Sequence, residues 1–268
     1  MTATFKLSPR YEIRKLSPEH LDWSKAILTH SNIFCSPVWK VLYPDDKAKR
    51  AYGMFTNLDY HVLHGITSGH SYGAFDTEYK FKRPESAATG GKLYWDVDNL
   101  DATSSELLEQ MDFPLVSIAL GYDGFHELDI ARLVPFINVS IPAVMILFAT
   151  LNSTDPRGPE AQKPKATGEV IVRNGTSTRE DYEGLGLAKG LAHYMMNEKA
   201  KEGFKAIQID SAATAVGKIW GNPPAPFTAE MTCSFETATF EMDGEDGEKM
   251  KPFLPADQLC ARTIVTLA

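Results

Sequence analysis

Three glycines, Gly184, Gly186 and Gly190, lie where a predicted strand turns into a predicted helix. The first amide N–H groups of a helix have no acceptor inside the helix, and they carry the positive end of the helix dipole. Such a turn binds a phosphate or pyrophosphate group without any basic side chain, and Gly186 allows the backbone to approach the anion closely. The alternative is a tight strand-to-helix turn that requires glycine for its geometry alone.

Two common phosphate-binding motifs do not fit this turn. A dinucleotide fingerprint requires G-x-G-x-x-G after the first strand of a unit, whereas the spacing from Gly186 to Gly190 is one residue too long and comes late in the chain. A Walker A loop is absent, because no Gly-Lys-Ser or Gly-Lys-Thr sequence occurs. The turn therefore predicts an anion site of another type.

The elements that must position this turn follow from hydrophobic periodicity and from turn residues. Helices are predicted at residues 127–136, 187–202 and 212–220, and the proline- and glycine-rich stretch at residues 152–168 is a loop. Strands are predicted at residues 11–15, 71–75, 92–97, 115–120, 169–173, 205–210, 231–242 and 260–267. This order predicts an α/β chain with a mixed sheet.

The sequence Tyr-Glu-Gly-Leu-Gly-Leu-Ala at residues 182–188 resembles the pyrophosphate loop of the GNAT superfamily, the CoA-dependent N-acyltransferases. The motif of that loop reads Gln/Arg-x-x-Gly-x-Gly/Ala, so Glu183 takes the first position, Gly186 the glycine and Ala188 the last. The flanking elements agree, because residues 170–173 resemble the fourth strand of the family and residues 187–202 its CoA-binding helix. The resemblance covers residues 168–240 and is greatest to fungal members of the superfamily.

This resemblance implies a fold, a co-substrate and a set of binding residues. The fold is a mixed, mostly antiparallel central sheet flanked by helices, in a single domain over residues 1–268. Residues 1–150 form the acceptor side, and residues 168–268 form the acetyl-CoA-binding core with the C-terminal strands. The residues implied to bind acetyl-CoA are Thr176, Ser177, Thr178, Glu183, Gly184, Leu185, Gly186, Leu187, Ala188 and Lys189.

The implied reaction is direct attack by the amine of a small molecule on the thioester. A base must remove a proton from the amine, and Asp123 and His70 are the first candidates, with His126 and Asp210 as alternatives. A backbone N–H within residues 172–178 is implied to bind the carbonyl oxygen. Ser211 is the candidate acid for the leaving thiolate, which water can also protonate.

Two residues depart from the family pattern. Glu183 places a carboxylate where the motif has Gln or Arg, so we expect its side chain to turn away from the pyrophosphate, toward a Lys or Arg. Trp220 aligns roughly with a tyrosine that acts as general acid, and an indole cannot release its proton. Both departures favour an alternative function, a non-catalytic acyl-CoA-binding protein. An O-acyltransferase and a transferase of longer acyl chains are further alternatives.

The sequence says less about the acceptor. Aromatic segments at residues 39–43 and 227–235, with the loop at residues 152–168, are the candidate acceptor-binding regions. Aromatic faces beside carboxylates suit a hydrophobic amine or a polyamine. The same aromatic residues would also form an ordinary core.

Composition excludes several other classes. The chain of 268 residues has a formal charge of −8, which argues against a nucleic-acid partner. Its three cysteines show no metal-ligand spacing, so we expect no metal ion and no disulfide framework.

Residues 1–15 lack a signal-peptide core, which predicts a cytoplasmic location. Residues 133–151 carry no formal charge, but prolines at 135 and 142 argue against a membrane span. Homodimer formation is left open.

Overall fold

A seven-stranded mixed sheet forms the centre of the computed structural model, which describes residues 7–244 and 247–267. Its strands occur in the spatial order β1-β2-β5-β6-β7-β11-β8. The bounds are β1 Tyr11–Lys15, β2 Tyr72–Asp76, β5 Leu115–Asp123, β6 Val170–Thr178, β7 Ala206–Ser211, β8 Thr228–Glu236 and β11 Leu259–Thr266.

All neighbouring strands of this sheet run antiparallel except β6 and β7, which are parallel. A parallel pair needs a crossover connection, and helix α10 (Leu187–Lys201) provides it. The carboxyl ends of β6 and β7 consequently lie at the same edge of the sheet. The predicted fold class, a mostly antiparallel mixed sheet in one domain, is confirmed.

Helices cover both faces of the sheet, so the core has two halves. One half lies between the sheet and α10 with α11, and it includes Ile171, Ile207 and Trp220. The other half lies under the remaining helices and includes Leu28, Leu120 and Leu147. These helices are α1 Leu21–His30, α2 Trp39–Leu42, α3 Lys47–Asn57, α4 Asp59–Thr67, α5 Pro84–Thr89, α6 Ser104–Glu109, α7 Val134–Ser140, α8 Val144–Thr154 and α9 Pro159–Gln162, and α11 is Thr214–Trp220.

Strands β5 and β6 extend past their predicted ends to Asp123 and Thr178, and the predicted loop at residues 152–168 contains α9. Three other predicted elements are shorter in the structure. The strand predicted at residues 92–97 is reduced to β3 Lys92–Leu93, which pairs with β4 Met111–Asp112. The helix predicted at residues 127–136 begins only at Val134, because Pro135 fits the first turn of a helix and not its interior. The strand predicted at residues 231–242 ends at Glu236, and a separate hairpin of β9 Met242–Asp243 and β10 Lys249–Met250 follows it.

No single helix in the described ranges is long and apolar enough to cross a membrane. Helices α7 and α8 satisfy the criteria of length and composition only as a pair, and the pair bends by 116°.

Candidate functional site

The sheet opens between β6 and β7. The parallel ladder ends at the pair Arg173 and Ile209, although β6 continues to Thr178 and β7 to Ser211. Along a strand, N–H and C=O groups point alternately to the two neighbouring strands. Part of the backbone of residues 174–178 therefore faces the opening without a strand partner there, while the other edge of β6 stays paired with β5. We call this opening the split.

A β-bulge lies where the split begins. Gly121 and Leu120 of β5 face Arg173 and Gly175 of β6, so Asn174 is the extra residue. The carbonyl of Asn174 accepts a hydrogen bond from Nε2 of His61 on α4, at 3.1 Å. Burial lowers the pKa of His61 to about 4, so the imidazole is neutral at physiological pH. Sequence reasoning missed this pair, because the two residues are 113 positions apart and no local pattern links them.

The glycine turn follows the end of β6. Gly184 and Gly186 both have φ of +77°, a left-handed conformation that L side chains adopt only with strain. The hydrogen bonds of α10 begin with the Gly190 amide, which donates to the Gly186 carbonyl at 2.9 Å. The amides of Leu187 and Ala188 therefore have no acceptor within the helix. This geometry fits the anion site predicted from the sequence.

Two buried contacts hold the turn against the sheet. Arg179 is 2% exposed and donates to the carbonyls of Met111 and Phe113 at 3.0 and 3.1 Å. The Tyr182 hydroxyl donates to Asp76 Oδ2 at 2.8 Å, and Asp76 is the last residue of β2. The turn is thus fixed to strands on the far side of β6. These contacts could not be predicted from local sequence patterns, because they join residues 66 to 106 positions apart.

Glu183 and Trp220, the two departures from the family pattern, differ in their exposure to solvent. Glu183 is exposed and forms no salt bridge to any described residue, but the charge of Lys40 acts on its carboxylate. Desolvation and the neighbouring Glu180 carboxylate raise the pKa of Glu183. Trp220 is 1% exposed, and its ring packs in the core beneath the split.

The candidate catalytic residues are not brought together. Ser211 lies at the carboxyl end of β7, beside the split, but it is buried and its hydroxyl donates to the Ala261 carbonyl at 3.2 Å. Asp123 ends β5 at the opposite edge of the sheet, where its carboxylate accepts from the amides of Gly168 and Phe125. Asp123 pairs with Ile171, three residues before Asn174, which is about 10 Å along the strand.

His70 precedes β2 and lies at the same far edge as Asp123. Its Nδ1 is 2.9 Å from the Nζ of Lys199, near the end of α10. Burial, and then the charge of Lys199, lower the pKa of His70. Of the alternative bases, Asp210 accepts two hydrogen bonds from Arg262, at 2.8 and 2.7 Å, and the carbonyl of His126 accepts from His64.

A cluster of three titratable side chains lies near the carboxyl end of β6. Donor atoms of His30, Cys35 and Glu180 are all within 4.8 Å of one another. Nε2 of His30 is 3.0 Å from the Ser104 carbonyl, which favours a tautomer with a free lone pair on Nδ1. Burial lowers the pKa of His30 and raises that of Cys35 to about 12, so the thiol is protonated at neutral pH. Such a donor set suits a transition metal, although the sequence predicts no metal.

The aromatic segments proposed for the acceptor side contribute to the core. Trp39 is buried, and the Tyr43 hydroxyl accepts from the Ala143 amide at 2.9 Å. Phe235 packs against Phe240 and Phe253, with ring centroids 4.9 and 5.4 Å apart. The core interpretation of these aromatic residues is therefore the one that their contacts support.

No protein-family model matches the chain, and no curated protein sequence matches it. Solved structures do match over nearly the whole length. The C-terminal condensation domain of Ebony, solved in complex with beta-alanyl-dopamine, has a TM-score of 0.61 at 13% identity, covering 95% of this chain and 98% of that chain. Arylalkylamine N-acetyltransferase 2 from Aedes aegypti has a TM-score of 0.59 at 13% identity, with 97% and 100% covered.

A third match is the polyamine N-acetyltransferase of Drosophila melanogaster, described as catalysing the formation of N-acetylagmatine. Its TM-score is 0.51 at 10% identity, with 95% of this chain and 98% of that chain covered. These identities are too low to transfer a substrate or a catalytic residue, and what they share with this chain is the arrangement of strands and helices. The chain has the fold of the GNAT N-acetyltransferases.

Proposed function

We propose that the protein is an acetyl-CoA-dependent N-acetyltransferase of small amines. One observation carries the proposal: β6 contributes one wall of the split and leads directly into the glycine turn, so both lie on one continuous segment, residues 174–189. A pyrophosphate group and an extended thioester arm are the two parts of acetyl-CoA that such a segment would bind. The structural neighbours support amine acetylation as the class of reaction.

The residues present fit acetyl-CoA. The amides at the start of α10, within residues 185–189, would hold the pyrophosphate, and a Cβ at Gly184 would meet no other atom within 4 Å. The Thr176 hydroxyl is buried and has no hydrogen-bond partner among the described residues, which is unusual for a buried polar group. A polar arm that lies along residues 174–178 would supply that partner.

When bound, acetyl-CoA would supply an acetyl group activated as a thioester. The chain would supply backbone N–H groups of residues 174–178 that face the split, and these would be the donors for the carbonyl oxygen. Because His61 holds the Asn174 carbonyl, the backbone at the bulge is fixed before any ligand binds.

Proton removal from the amine requires a base at the split. Asp123 and His70 stay our predictions from the sequence, but both lie toward the other edge of the sheet. We therefore add Glu180 and His30, which lie near the carboxyl end of β6, as candidate bases. Ser211 stays the candidate acid, and its hydroxyl would have to turn from the Ala261 carbonyl to act.

The acceptor proposed is a small amine of the arylalkylamine or polyamine type. The net charge of −8 favours a cationic acceptor, and the structural neighbours are named for such amines. We further propose that residues 1–150 form the acceptor side, that the protein is cytoplasmic, and that neither nucleic acid nor a membrane is a partner.

The first experiment measures CoA binding, and the second measures turnover. Thermal melting with CoA at about 100 times its Kd should show stabilisation of about 2.7 kcal/mol, which is about 5–10 °C for a chain of this size. Release of CoA from acetyl-CoA is then followed with dopamine, tryptamine, agmatine and spermidine. No stabilisation by CoA or acetyl-CoA would refute the proposal.

A non-catalytic acyl-CoA-binding protein is the second candidate. The observation that favours it is that Ser211, Asp123 and His70 all use their polar atoms in internal contacts. Stabilisation by CoA without turnover of any of the four amines would support this candidate over the enzyme.

A further inference from the structure

Arg173 is a buried cation that lacks a hydrogen-bond or salt-bridge partner among the described residues. It is 9% exposed, and it forms no hydrogen bond or salt bridge with any described residue. Its Nε is among the buried nitrogens that lack a hydrogen-bond partner in the described ranges. An unpaired buried charge is costly, because the water that solvated it is not replaced. Such a residue calls for a ligand that supplies the missing acceptor.

The guanidinium lies at the closed end of the split. Arg173 is the last residue of β6 that pairs with β7, and its guanidinium carbon is 5.9 Å from the centre of the Trp220 ring on α11. The acidic side chain that acts on it electrostatically is Asp210, one residue beyond the end of the ladder. Trp220 and Asp210, which both come after Ile209 in the chain, therefore lie beside the guanidinium.

Asp210 does not neutralise Arg173. Both of its carboxylate oxygens accept hydrogen bonds from Arg262, at 2.8 and 2.7 Å. Burial lowers the pKa of Arg173 to about 10, which still leaves the guanidinium charged at neutral pH. The closed end of the split therefore has an uncompensated positive charge.

A second polar group without a partner lies on the same face of β6. Gly175 is directed toward Leu28, in the core half under α1, so alternation places Thr176 on the opposite face, with α10. Arg173 is also on that face, since its guanidinium lies over Trp220. The hydroxyl of Thr176 and the Nε of Arg173 thus both face the side of the split that adjoins the glycine turn.

We propose that Arg173 binds a carboxylate at the far end of the acyl group, so that the preferred donor is the CoA thioester of a short dicarboxylic acid, such as malonyl- or succinyl-CoA. This inference rests on the proposed CoA site. Residues 174–178 span about 16 Å from the glycine turn toward Arg173, so a thioester arm that follows them ends beside the guanidinium. A carboxylate on the amine substrate is a poorer candidate for the ligand of Arg173, because the predicted acceptor-binding segments pack mainly in the other half of the core.

The chemistry of transfer is unchanged by the carboxylate. The amine nitrogen forms a bond to the thioester carbon, the carbon–sulfur bond breaks, and the proton lost by the amine is balanced by the proton taken up by the CoA thiolate. The product is an amide whose free carboxylate comes from the acyl group. A carboxylate and a guanidinium form paired, charge-assisted hydrogen bonds, which are stronger than neutral ones.

The test compares two donors of nearly the same shape, malonyl-CoA and isovaleryl-CoA, by titration calorimetry without any amine. The wild-type protein should bind malonyl-CoA about 10- to 100-fold more tightly, the range expected for hydrogen bonds between charged groups. Arg173→Met should abolish this preference and leave the affinity for free CoA unchanged. Arg173→Lys should retain a smaller preference, because it keeps the charge and loses the planar fork.

Arg14→Met is the matched control, since Arg14 is an exposed arginine on the edge strand β1. It removes the same charge and should preserve the preference for malonyl-CoA. The thermal melting temperature of Arg173→Met should stay equal or rise, because the variant removes an unpaired buried charge. This variant therefore remains a usable test protein.

Equal wild-type affinities for the two thioesters would overturn the inference, as would a malonyl preference that survives in Arg173→Met. In both cases the affinity for free CoA would still support the proposed function. Absence of CoA binding by the wild-type protein would refute the proposed function and this inference together.

Discussion

Gly186 offers the sharpest test of where a pyrophosphate binds. The residue begins α10 with φ of +77°, beside the amides of Leu187 and Ala188. Asn and Asp have the same shape, and both tolerate the left-handed conformation better than other side chains. Gly186→Asp and Gly186→Asn therefore differ mainly by one negative charge at the start of the helix.

The cost of that charge follows from Coulomb's law. Two unit charges about 5 Å apart repel by about 0.8 kcal/mol in water, and a pyrophosphate group has about two charges, so the repulsion is about 1.7 kcal/mol. This energy corresponds to an affinity about 15-fold weaker. With the effective dielectric constant of about 20 that is typical near a protein surface, the repulsion is about four times larger.

The assay is titration calorimetry with CoA at low ionic strength. Gly186→Asp should bind CoA at least about 15-fold more weakly than Gly186→Asn, and the difference should shrink as salt is added. Neither variant should unfold the protein, because Asp and Asn are both favourable residues at the start of a helix. Gly203→Asp is the control, since Gly203 follows the other end of α10, also has positive φ, and has open space around its Cβ position.

Equal affinities of the Gly186→Asp and Gly186→Asn variants for CoA would refute the placement of the pyrophosphate. A loss of affinity in Gly203→Asp of the same size would show that the effect is one of net charge and does not come from a local site. The reasoning requires the loss to be confined to Gly186→Asp and to depend on salt.

Three further predictions concern the elements around the split. Tyr182→Phe should weaken CoA binding several-fold in calorimetry and destabilise the fold by about 1–2 kcal/mol in urea, because Asp76 loses the hydroxyl that ties the turn to β2. The pKa of His61 in the folded protein, about 4, lies below its ordinary value of 6.5, so the wild-type protein loses up to about 3 kcal/mol of stability as the pH falls from about 6.5 to 4. His61→Gln should remove this loss, which urea unfolding at several pH values measures. Hydrogen bonds from Arg157 lower the pKa of Asp155 from 3.8 to about 2, so the Asp155 carboxylate stabilises the fold by about 2 kcal/mol above about pH 4 and loses this effect toward pH 2. Asp155→Asn should remove this pH dependence of stability. A pH profile of unfolding that is unchanged in either variant would contradict these assignments.

The parts of the fold with strong local patterns were predictable from the sequence. Helix α10 begins at the predicted residue, Leu187, because the glycine turn before it is a local signal of chain reversal. Strands β1 and β7 agree with the predicted residues to within one position, since each alternates or clusters apolar residues between turn residues.

The features that shape the site could not be predicted in the same way. The bulge at Asn174 and the end of the ladder at Arg173 are properties of how β6 pairs with two other strands. Neither pairing leaves a trace in the local sequence, because every residue has the same backbone donor and acceptor. The hydrogen bond from His61 likewise depends on the packing of α4 against β6.

The candidate base Asp123 lies away from the split for a related reason. Asp123 follows an apolar strand, and a carboxylate at the end of a strand is often functional. Which edge of the sheet it occupies depends on the direction of β5 relative to β6, and these two strands are antiparallel. The end of β5 therefore lies beside the start of β6, away from the glycine turn. Placing Asp123 at the correct edge of the sheet required the direction of β5, which the residue types do not show.

The site described here is built largely from backbone groups, which explains how the fold can be shared at 10–13% identity. The split, the bulge and the amides of α10 require hydrogen-bonding geometry, and only Gly184 and Gly186 are constrained by their conformation. Side chains at the split are consequently free to differ between proteins of this fold. What distinguishes this chain must then lie in the groups that its own backbone does not satisfy. Arg173 at the closed end is such a group, and for that reason the comparison of malonyl-CoA with isovaleryl-CoA examines the specificity of this protein and not that of its fold.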